Sequence, residues 1–469
     1  MNKLIALPIG DFILSIFALY SAFLLRVGSI PETEGISGLI EIKFLIFGLI
    51  LIFLSFIIEM YNQEKNSGKK ELLLRVFTGI AIAFLLLSSL YYMLPSIMLG
   101  RGLLFISLVS FGLFQFLWHI SYRALKIHGL ARKILILGAG PLAHQVGEII
   151  KTTNHRYVLA GYVNLSSEAV CVPLHSILTN DNDNDKGNGN GNGNGNGNGN
   201  RLIDIAKKEK ANKIVISLSE RRGIFPSKEI LNCKFSGIEV VDAPSLYEEV
   251  TGKLFIEEIK PSWFIFSDGF RITNFKRISK RMLDIFMALI GLLITLPLFP
   301  FIALFTKIDS SGPVFFKQLR VGERGKVFTI YKFRTMHQDA EKGNVAVWAQ
   351  KKDPRVTGTG KILRKIRLDE FPQFYNVLKG DMSIVGPRPE RPEFIDELAK
   401  LIPYYSERHF AKPGITGWAQ IRYPYGASVE DAIEKLRYDL YYIKHLSLFF
   451  DAMIIMETIK VVLVGRGAR

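Results

Sequence analysis

Four apolar runs, near residues 6–25, 39–59, 72–94 and 103–121, constrain this chain more than any other feature. Each approaches the ~20 residues that a helix needs to cross the hydrocarbon of a bilayer. Residues 1–125 are therefore expected to form a membrane α-helical bundle of four spans, not the core of a soluble domain. Lys65, Lys69 and Lys70 lie between the second and third runs and Arg75 at the start of the third, Arg123, Lys126, Arg132 and Lys133 follow the fourth, and Glu32 and Glu34 mark the first loop. Cytoplasmic loops are biased toward Lys and Arg, which puts both ends of this block in the cytoplasm. The first run has no small-residue cleavage pattern and leads into further runs, so it is not read as a signal peptide.

Lys and Arg outnumber Asp and Glu by 59 to 43. In a membrane protein such an excess serves cytoplasmic faces, anionic lipid or phosphate-bearing substrates, and no nucleic acid is expected as partner. Cys171 and Cys233 are the only cysteines and lie far apart, which fits a reducing compartment and suggests neither a disulfide framework nor a zinc site. The eight histidines contain no H-x-x-x-H pair.

From Ala131 the pattern changes. ARKILILGAGPLAHQVGEII reads as a strand, a glycine turn and an amphipathic helix, and NKIVISL and GIEVVDAP read as further buried strands. Residues 131–255 are expected to form an α/β Rossmann-like middle domain, with 256–276 as a linker. Gly138, Gly140 and Ala143 give G-x-G-x-x-A, which lets backbone amides approach a phosphate. No acid closes the next strand candidate, YVLAGYVN, and Tyr157, Tyr162 and Tyr247 have no lysine four positions on. Dinucleotide binding and a structural or regulatory module both stay open. The run from Asp181 to Asn200, DNDNDKGNGNGNGNGNGNGN, buries nothing and is expected to be a flexible loop. Its alternating aspartates resemble a calcium loop, but Lys186 and Asn192 occupy the positions that need Gly and Glu.

Chemistry concentrates after residue 277. In RLDEFPQFYNVLKG, Pro372 suits the first turn of a helix and Gly380 its end, so Asp369 is expected at or near the N-terminus, where one reading is a simple N-cap. Around it stand Arg364, Arg367, Lys332 and Arg334 of YKFRTM, and Arg388 of GPRPE. Arginine forks bind phosphate oxygens in pairs, so the set suits an anionic substrate. Magnesium held by Asp369 or Glu370 would bridge carboxylate and phosphate. The competing reading pairs these arginines with Asp353, Asp369, Glu370 and Asp381 as surface ion pairs.

YKFRTM, RLDEFPQFYNVLKGDMSIVGPRPE, KPGITGWAQI, EKLRYDLYYIKHLSLFFD and the closing GRGAR together resemble the bacterial sugar transferases, the polyprenyl-phosphate hexose-1-phosphate transferases of monotopic phosphoglycosyl transferase type. The resemblance covers residues 277–469, and the preceding spans and middle domain look like the long form that initiates exopolysaccharide or O-antigen repeat units. It implies an α+β catalytic domain. It also implies that a carboxylate attacks the β-phosphate of a UDP-sugar, releases UMP and passes the phospho-sugar to undecaprenyl phosphate. Asp369 matches the family nucleophile and expected magnesium ligand, Glu370 its acidic partner, and Arg364 and Arg388 the arginines that contact substrate phosphates. Lys332, Arg334 and Arg367 are added as phosphate binders on physical grounds. Where many members have a short N-G-R turn, this chain has Arg422 followed by YPYGASVED, so Arg422, Tyr423 and Tyr425 are candidates for the nucleotide-sugar pocket. Glucose or galactose is the expected hexose, and homo-oligomerisation stays open.

The run KRMLDIFMALIGLLITLPLFPFIALFTK, from Lys280 to Lys307, is long enough to span, yet Pro297 and Pro300 interrupt it. Lys276, Arg277, Lys280 and Arg281 precede its apolar part and Lys307, Lys317 and Arg320 follow. Both flanks are thus assigned to the cytoplasm, and Pro297 is expected to kink the run into a re-entrant membrane helix. The leading reading is a multi-pass enzyme of the inner membrane with its catalytic domain at the cytoplasmic face. Two others stand beside it: a non-catalytic scaffold or sensor with a nucleotide-binding middle domain, and a tethered nucleotide-sugar oxidoreductase.

Overall fold

Apolar helices open the chain. The computed structural model describes residues 2–28, 37–61, 68–129, 132–152, 157–164, 169–178, 201–218, 225–259, 261–338, 353–423, 426 and 428–464. Two units make it up: Met1–Ile134 with Asn154–Ala160 and Glu209–Asn212, and Leu135–Thr153, Gly161–Lys208 and Lys213–Arg469.

The first unit is built on α1 (Asn2–Val27), α2 (Ser37–Ile57), α3 (Lys69–Met93) and α4 (Arg101–Gly129). Ala6–Arg26, Lys69–Met93 and Arg101–Tyr122 are long and apolar enough to cross a membrane, whereas α2 contributes a shorter described stretch, Ile42–Ile57. The surface is inverted relative to a soluble bundle. Phe17, Phe77, Leu85 and Phe105 are exposed, while Asp11, Ser55, Gln115 and His119 are buried. Gln115 Nε2 donates to Asp11 Oδ2 at 2.6 Å and to Ser55 Oγ at 2.9 Å, and His119 Nε2 lies 3.3 Å from the same carboxylate. Apolar side chains facing outward and polar ones bonded across helices suit a lipid surround.

An α/β layer follows, most of it in the second unit: β1 (Arg132–Leu137), α5 (Pro141–Thr152), β2 (Tyr157–Val163), α6 (Arg201–Lys208), β3 (Lys213–Ile216), α7 (Ser227–Phe235), β4 (Glu239–Asp242) and α8 (Ala243–Thr251). The sheet order is β2-β1-β3-β4, and β3 and β4 run parallel. Ile134 to Leu137 and Ile214 to Val215 are buried without alternation, as expected of strands covered on both faces. The run 181–200 lies outside the described residues. Ile256 and Ile259, in the stretch expected as a linker, join the core of the region that follows.

That region contains α9 (Pro261–Phe266), α10 (Asn274–Thr295), α11 (Phe299–Asp309), β5 (Phe315–Val321), β6 (Val327–Phe333), α12 (Gly358–Lys365), α13 (Gln373–Lys379), β7 (Ser383–Val385), α14 (Pro392–Leu401), β8 (Gly414–Thr416), α15 (Trp418–Arg422), α16 (Val429–Lys444) and α17 (Leu448–Val464). β5 and β6 form an antiparallel hairpin and β7 pairs β8 in parallel. Val377, Met382, Val385, Trp418, Leu440 and Phe450 fill the core between them.

The proline-interrupted run changes to a 3-10 turn at Pro297, and Asn274–Asp309 as a whole is long and apolar enough to cross a membrane. α10 ends at Thr295, a 3-10 turn holds Leu296–Leu298 with Pro297, and Pro300 sits in the first turn of α11. Lys280, Asp284, Ala288 and Thr295 are buried along α10, a largely polar stripe on an apolar helix. Asp284 accepts hydrogen bonds from Ser383 Oγ and Ile384 N–H, both at 2.9 Å. A Cβ at Gly291 would stand 2.6 Å from the Phe374 ring, so this position lets α10 and α13 close up. On α11, Ile302 packs with Phe333 and Leu363. Each half of the run packs on the α/β region, α10 through Ala288 in one buried cluster and α11 through Ile302 in another, while Leu293 and Ile308 point outward, 76% and 73% exposed.

Two charges counted as cytoplasmic flanks are engaged inside this core. Lys280 Nζ donates to Asp451 Oδ2 at 2.8 Å and to Val385 O at 3.0 Å, and Arg281 donates to the carbonyls of Val377 and Leu378.

Candidate active site

The segment RLDEFPQFYNVLKG folds as a turn and a helix. Arg367 adopts φ +57°, Leu368–Glu370 form a 3-10 turn, and α13 starts at Gln373 and closes on Gly380 at φ +96°. Asp369 thus lies in its own turn, and α13 has no side-chain cap, so the N-cap reading of Asp369 fails. Asn376, fully buried, pins α13 to β6: its Nδ2 donates to Thr329 O at 2.7 Å and its Oδ1 accepts from Tyr331 N–H at 3.1 Å. That bridge sets the register between the carboxylates and Lys332, the next residue along β6.

The two carboxylates differ in their surroundings. Glu370 takes Lys332 Nζ at 2.9 Å, Arg388 Nη2 at 3.5 Å and Arg367 Nη1 at 3.7 Å. Asp369 is equally enclosed, 9% exposed, but its carboxylate takes no hydrogen bond or ion pair among the described residues. Burial raises the Asp369 pKa, the Glu370 charge raises it further, and the more distant Lys332, Arg364 and Arg388 offset this in part, leaving it at about 6. Burial also pushes Glu370 upward, but Lys332 and Arg388 outweigh it and hold Glu370 below the usual carboxylate range. Adjacent carboxyl groups pushed in opposite directions are a mark of sites that do chemistry. The pair offers one anchored anion and one unencumbered carboxylate.

The arginines divide. Arg364 Nε donates to Thr335 Oγ1 at 2.9 Å, and its charge bears on Asp369. Arg388 follows β7 on the Gly386–Pro387 turn and donates through Nη1 to Gln420 Oε1 at 3.3 Å. Its carbonyl accepts from Arg408, which is buried against Asp439 at 2.7 Å and Tyr405. Arg334 is a different case. β6 ends at Phe333, and the Arg334 guanidinium turns to the carbonyls of Thr306, Ser310 and Ser311 at the end of α11. These bonds tie it to the end of a helix, and its contact with a substrate phosphate remains a proposal.

The candidate sugar-pocket residues have partners of their own. Arg422 stacks over Trp418 at 4.3 Å, and the Tyr423 hydroxyl donates to Asp431 Oδ1 at 2.6 Å. Tyr425 and the closing GRGAR lie outside the described residues. Sequence reasoning passed over Gln373, Gln420 and Arg408, the first two although they sit within the quoted motifs FPQFYN and WAQ.

A divalent cation fits this donor set only with help from a ligand. No group of three metal-ligating side chains occurs among the described residues. Magnesium, however, is usually bound by one or two carboxylates plus substrate phosphates and water, and Asp369 supplies one carboxylate with free oxygens.

A family model described as bacterial sugar transferase matches residues 275–465. The chain is 41% identical over 240 residues to a UDP-N-acetylgalactosamine-undecaprenyl-phosphate N-acetylgalactosaminephosphotransferase of Aeromonas hydrophila, covering 51% of this chain and 56% of that protein. It is 44% identical over 192 residues to the UDP-glucose:undecaprenyl-phosphate glucose-1-phosphate transferase of Escherichia coli K12, covering 40% and 41%. A putative undecaprenyl-phosphate N-acetylgalactosaminyl 1-phosphate transferase of Bacillus subtilis is 51% identical over 129 residues, 28% of this chain and 72% of that protein. The chain thus spans about half the length of the first two relatives.

Proposed function

Because this chain belongs to the bacterial sugar transferase family, we propose that it transfers a hexose 1-phosphate from a UDP-sugar to undecaprenyl phosphate. The observation that carries this reading is the asymmetric pair: a buried Asp369 with no hydrogen bond or ion pair among the described residues, beside a Glu370 fixed by three cations. In the first step an Asp369 oxygen attacks the β-phosphorus of the UDP-sugar, the bond from that phosphorus to the bridging oxygen breaks, and UMP leaves. In the second a phosphate oxygen of the polyprenyl acceptor attacks the same phosphorus and the Asp369 carboxylate departs, leaving a polyprenyl diphosphate sugar. A covalent intermediate divides transfer between two differently solvated substrates into two displacements at one site. Glu370 holds Lys332 and Arg388 together as a basic wall, and Arg364 places a further cation by Asp369. Magnesium, held by Asp369, would neutralise the charge of the diphosphate.

Relatives named for N-acetylgalactosamine as well as glucose widen the sugar beyond glucose or galactose to N-acetylhexosamines. Residues 131–255 are proposed as a Rossmann-like module on the strength of the β2-β1-β3-β4 order and the intervening helices. The Pro297 break is proposed to turn the run from Lys280 to Lys307 back toward the cytoplasmic face. Burial of Lys280, Asp284 and Ala288 on α10 and of Ile302 and Thr306 on α11 supports this. The active site would then lie at headgroup level, within reach of a soluble sugar nucleotide and a lipid phosphate. Asp369→Asn tests the function: UMP release from UDP-sugars should be abolished, and undiminished release would refute the assignment of the nucleophile.

A further inference from the structure

Gln373, the first residue of α13, is 2% exposed, and its amide nitrogen has no hydrogen-bond partner among the described residues. A buried donor left unsatisfied by folding is costly and therefore uncommon. This one lines a small cleft on the Glu370 side of the pair, together with Arg320, Lys332, Arg388 and Gly414. Arg320 is held in the wall by the Pro389 carbonyl at 3.1 Å and by Gln318, and Lys332 and Arg388 share Glu370. Three cations and an amide donor thus line the cleft with one carboxylate, Glu370, already engaged, and Glu390 stands 3.8 Å from Arg320 outside the lining. What is missing from such a cleft is an anionic oxygen acceptor.

We propose that Gln373 is a substrate-binding residue whose amide N–H donates to a phosphoryl oxygen seated beside Lys332 and Arg388. This rests on the transferase reading above. The oxygen comes either from the diphosphate of the sugar nucleotide or from the phosphate of the polyprenyl acceptor, and the two half-reactions separate these sources.

The decisive variant is Gln373→Met, which keeps the side chain's length and removes the amide. Because the amide nitrogen is unsatisfied in the free protein, its loss should not lower the unfolding temperature of the full chain in detergent or nanodiscs. Exchange of labelled UMP into a UDP-sugar without acceptor reports the first half-reaction alone. A rise of about tenfold or more in the KM for UDP-sugar in that exchange, the size expected for a lost hydrogen bond to a charged group, places the oxygen on the diphosphate. Unchanged exchange with a similar rise in the KM for undecaprenyl phosphate during full turnover places it on the acceptor. Gln373→Glu, which presents a negative charge to the same oxygen, should be more impaired than Gln373→Met in whichever half-reaction is affected. Both KM values within about twofold of the parent, or a fall in kcat that merely accompanies a lower unfolding temperature, would overturn the proposal. Asp369→Asn run in parallel keeps the two claims distinct, since UMP release by that variant would sink the transferase reading itself.

Discussion

At the scale of single residues, the proposed function depends on two adjacent carboxylates having different partners. On that proposal Asp369 must be ionised to attack phosphorus. Its carboxyl is raised to about 6, by burial first and then by Glu370, so activity should climb as pH rises through that region and fade below it. Glu370→Gln removes the like charge, so the acid limb of whatever activity remains should move to lower pH in a pH–rate profile. A limb that stays in place would show that the Glu370 charge does not reach Asp369. The motif RLDEFPQFYNVLKG made the pair and much of its basic surround legible, because these residues are close in sequence or fall in neighbouring motifs. The carbonyl partners of Arg334 were not legible, for a physical reason. Two residues apart on a strand, Lys332 and Arg334 should share a face, but the strand stops at Phe333, and the carbonyls that Arg334 meets lie at and just past the end of α11, more than twenty residues earlier.

At the scale of elements, the contacts that place the site were the least legible. Lys280 and Asp284 read as charges at the edge of an apolar run, and their partners Asp451 and Ser383 lie about a hundred residues away or more. A periodic pattern shows that a face is buried, not what it is buried against. Arg408, 5% exposed, supports the Arg388 turn from the inside while paired with Asp439. Arg408→Met leaves that carboxylate enclosed without its cation and should cost about 3–5 kcal/mol, read as a lower unfolding temperature of the purified protein. The Pro297 break has its own test. Single cysteines at Arg277 and Ser311, in a background with Cys171 and Cys233 replaced by serine, should be labelled from the same side of sealed inverted vesicles. Labelling from opposite sides would mean that the run crosses the bilayer. Pro297→Leu restores the missing N–H donor and should shift the pair toward that opposite-side pattern.

At the scale of the whole molecule, sequence patterning separated apolar helices from a mixed α/β part, and both kinds of structure are present. What it left out is how firmly the second unit is joined within itself. Glu248 of α8, buried, accepts from Lys444 Nζ at 2.6 Å and also meets His445; Trp418 Nε1 donates to Gly252 O at 2.8 Å; Leu254 N–H donates to Arg437 O at 3.1 Å. These bonds tie the end of α8 to α15 and α16, and Gln420 of α15 in turn contacts Arg388. Glu248→Ala leaves Lys444 largely enclosed without its acceptor and should cost about 1–3 kcal/mol, again visible as a lower unfolding temperature. An unchanged temperature would mean that the two parts of this unit do not depend on each other for stability.

The central claim is that Asp369 carries the sugar phosphate between the two substrates, and mass spectrometry of the full-length protein tests it most directly. Incubated with a UDP-sugar accepted by the enzyme and magnesium but no acceptor, the protein should gain the mass of one phospho-sugar on the peptide containing Asp369. Undecaprenyl phosphate should discharge it, and Asp369→Asn should never acquire it. An adduct on another residue, or UMP released only when acceptor is present and with no adduct at any time, would contradict the account.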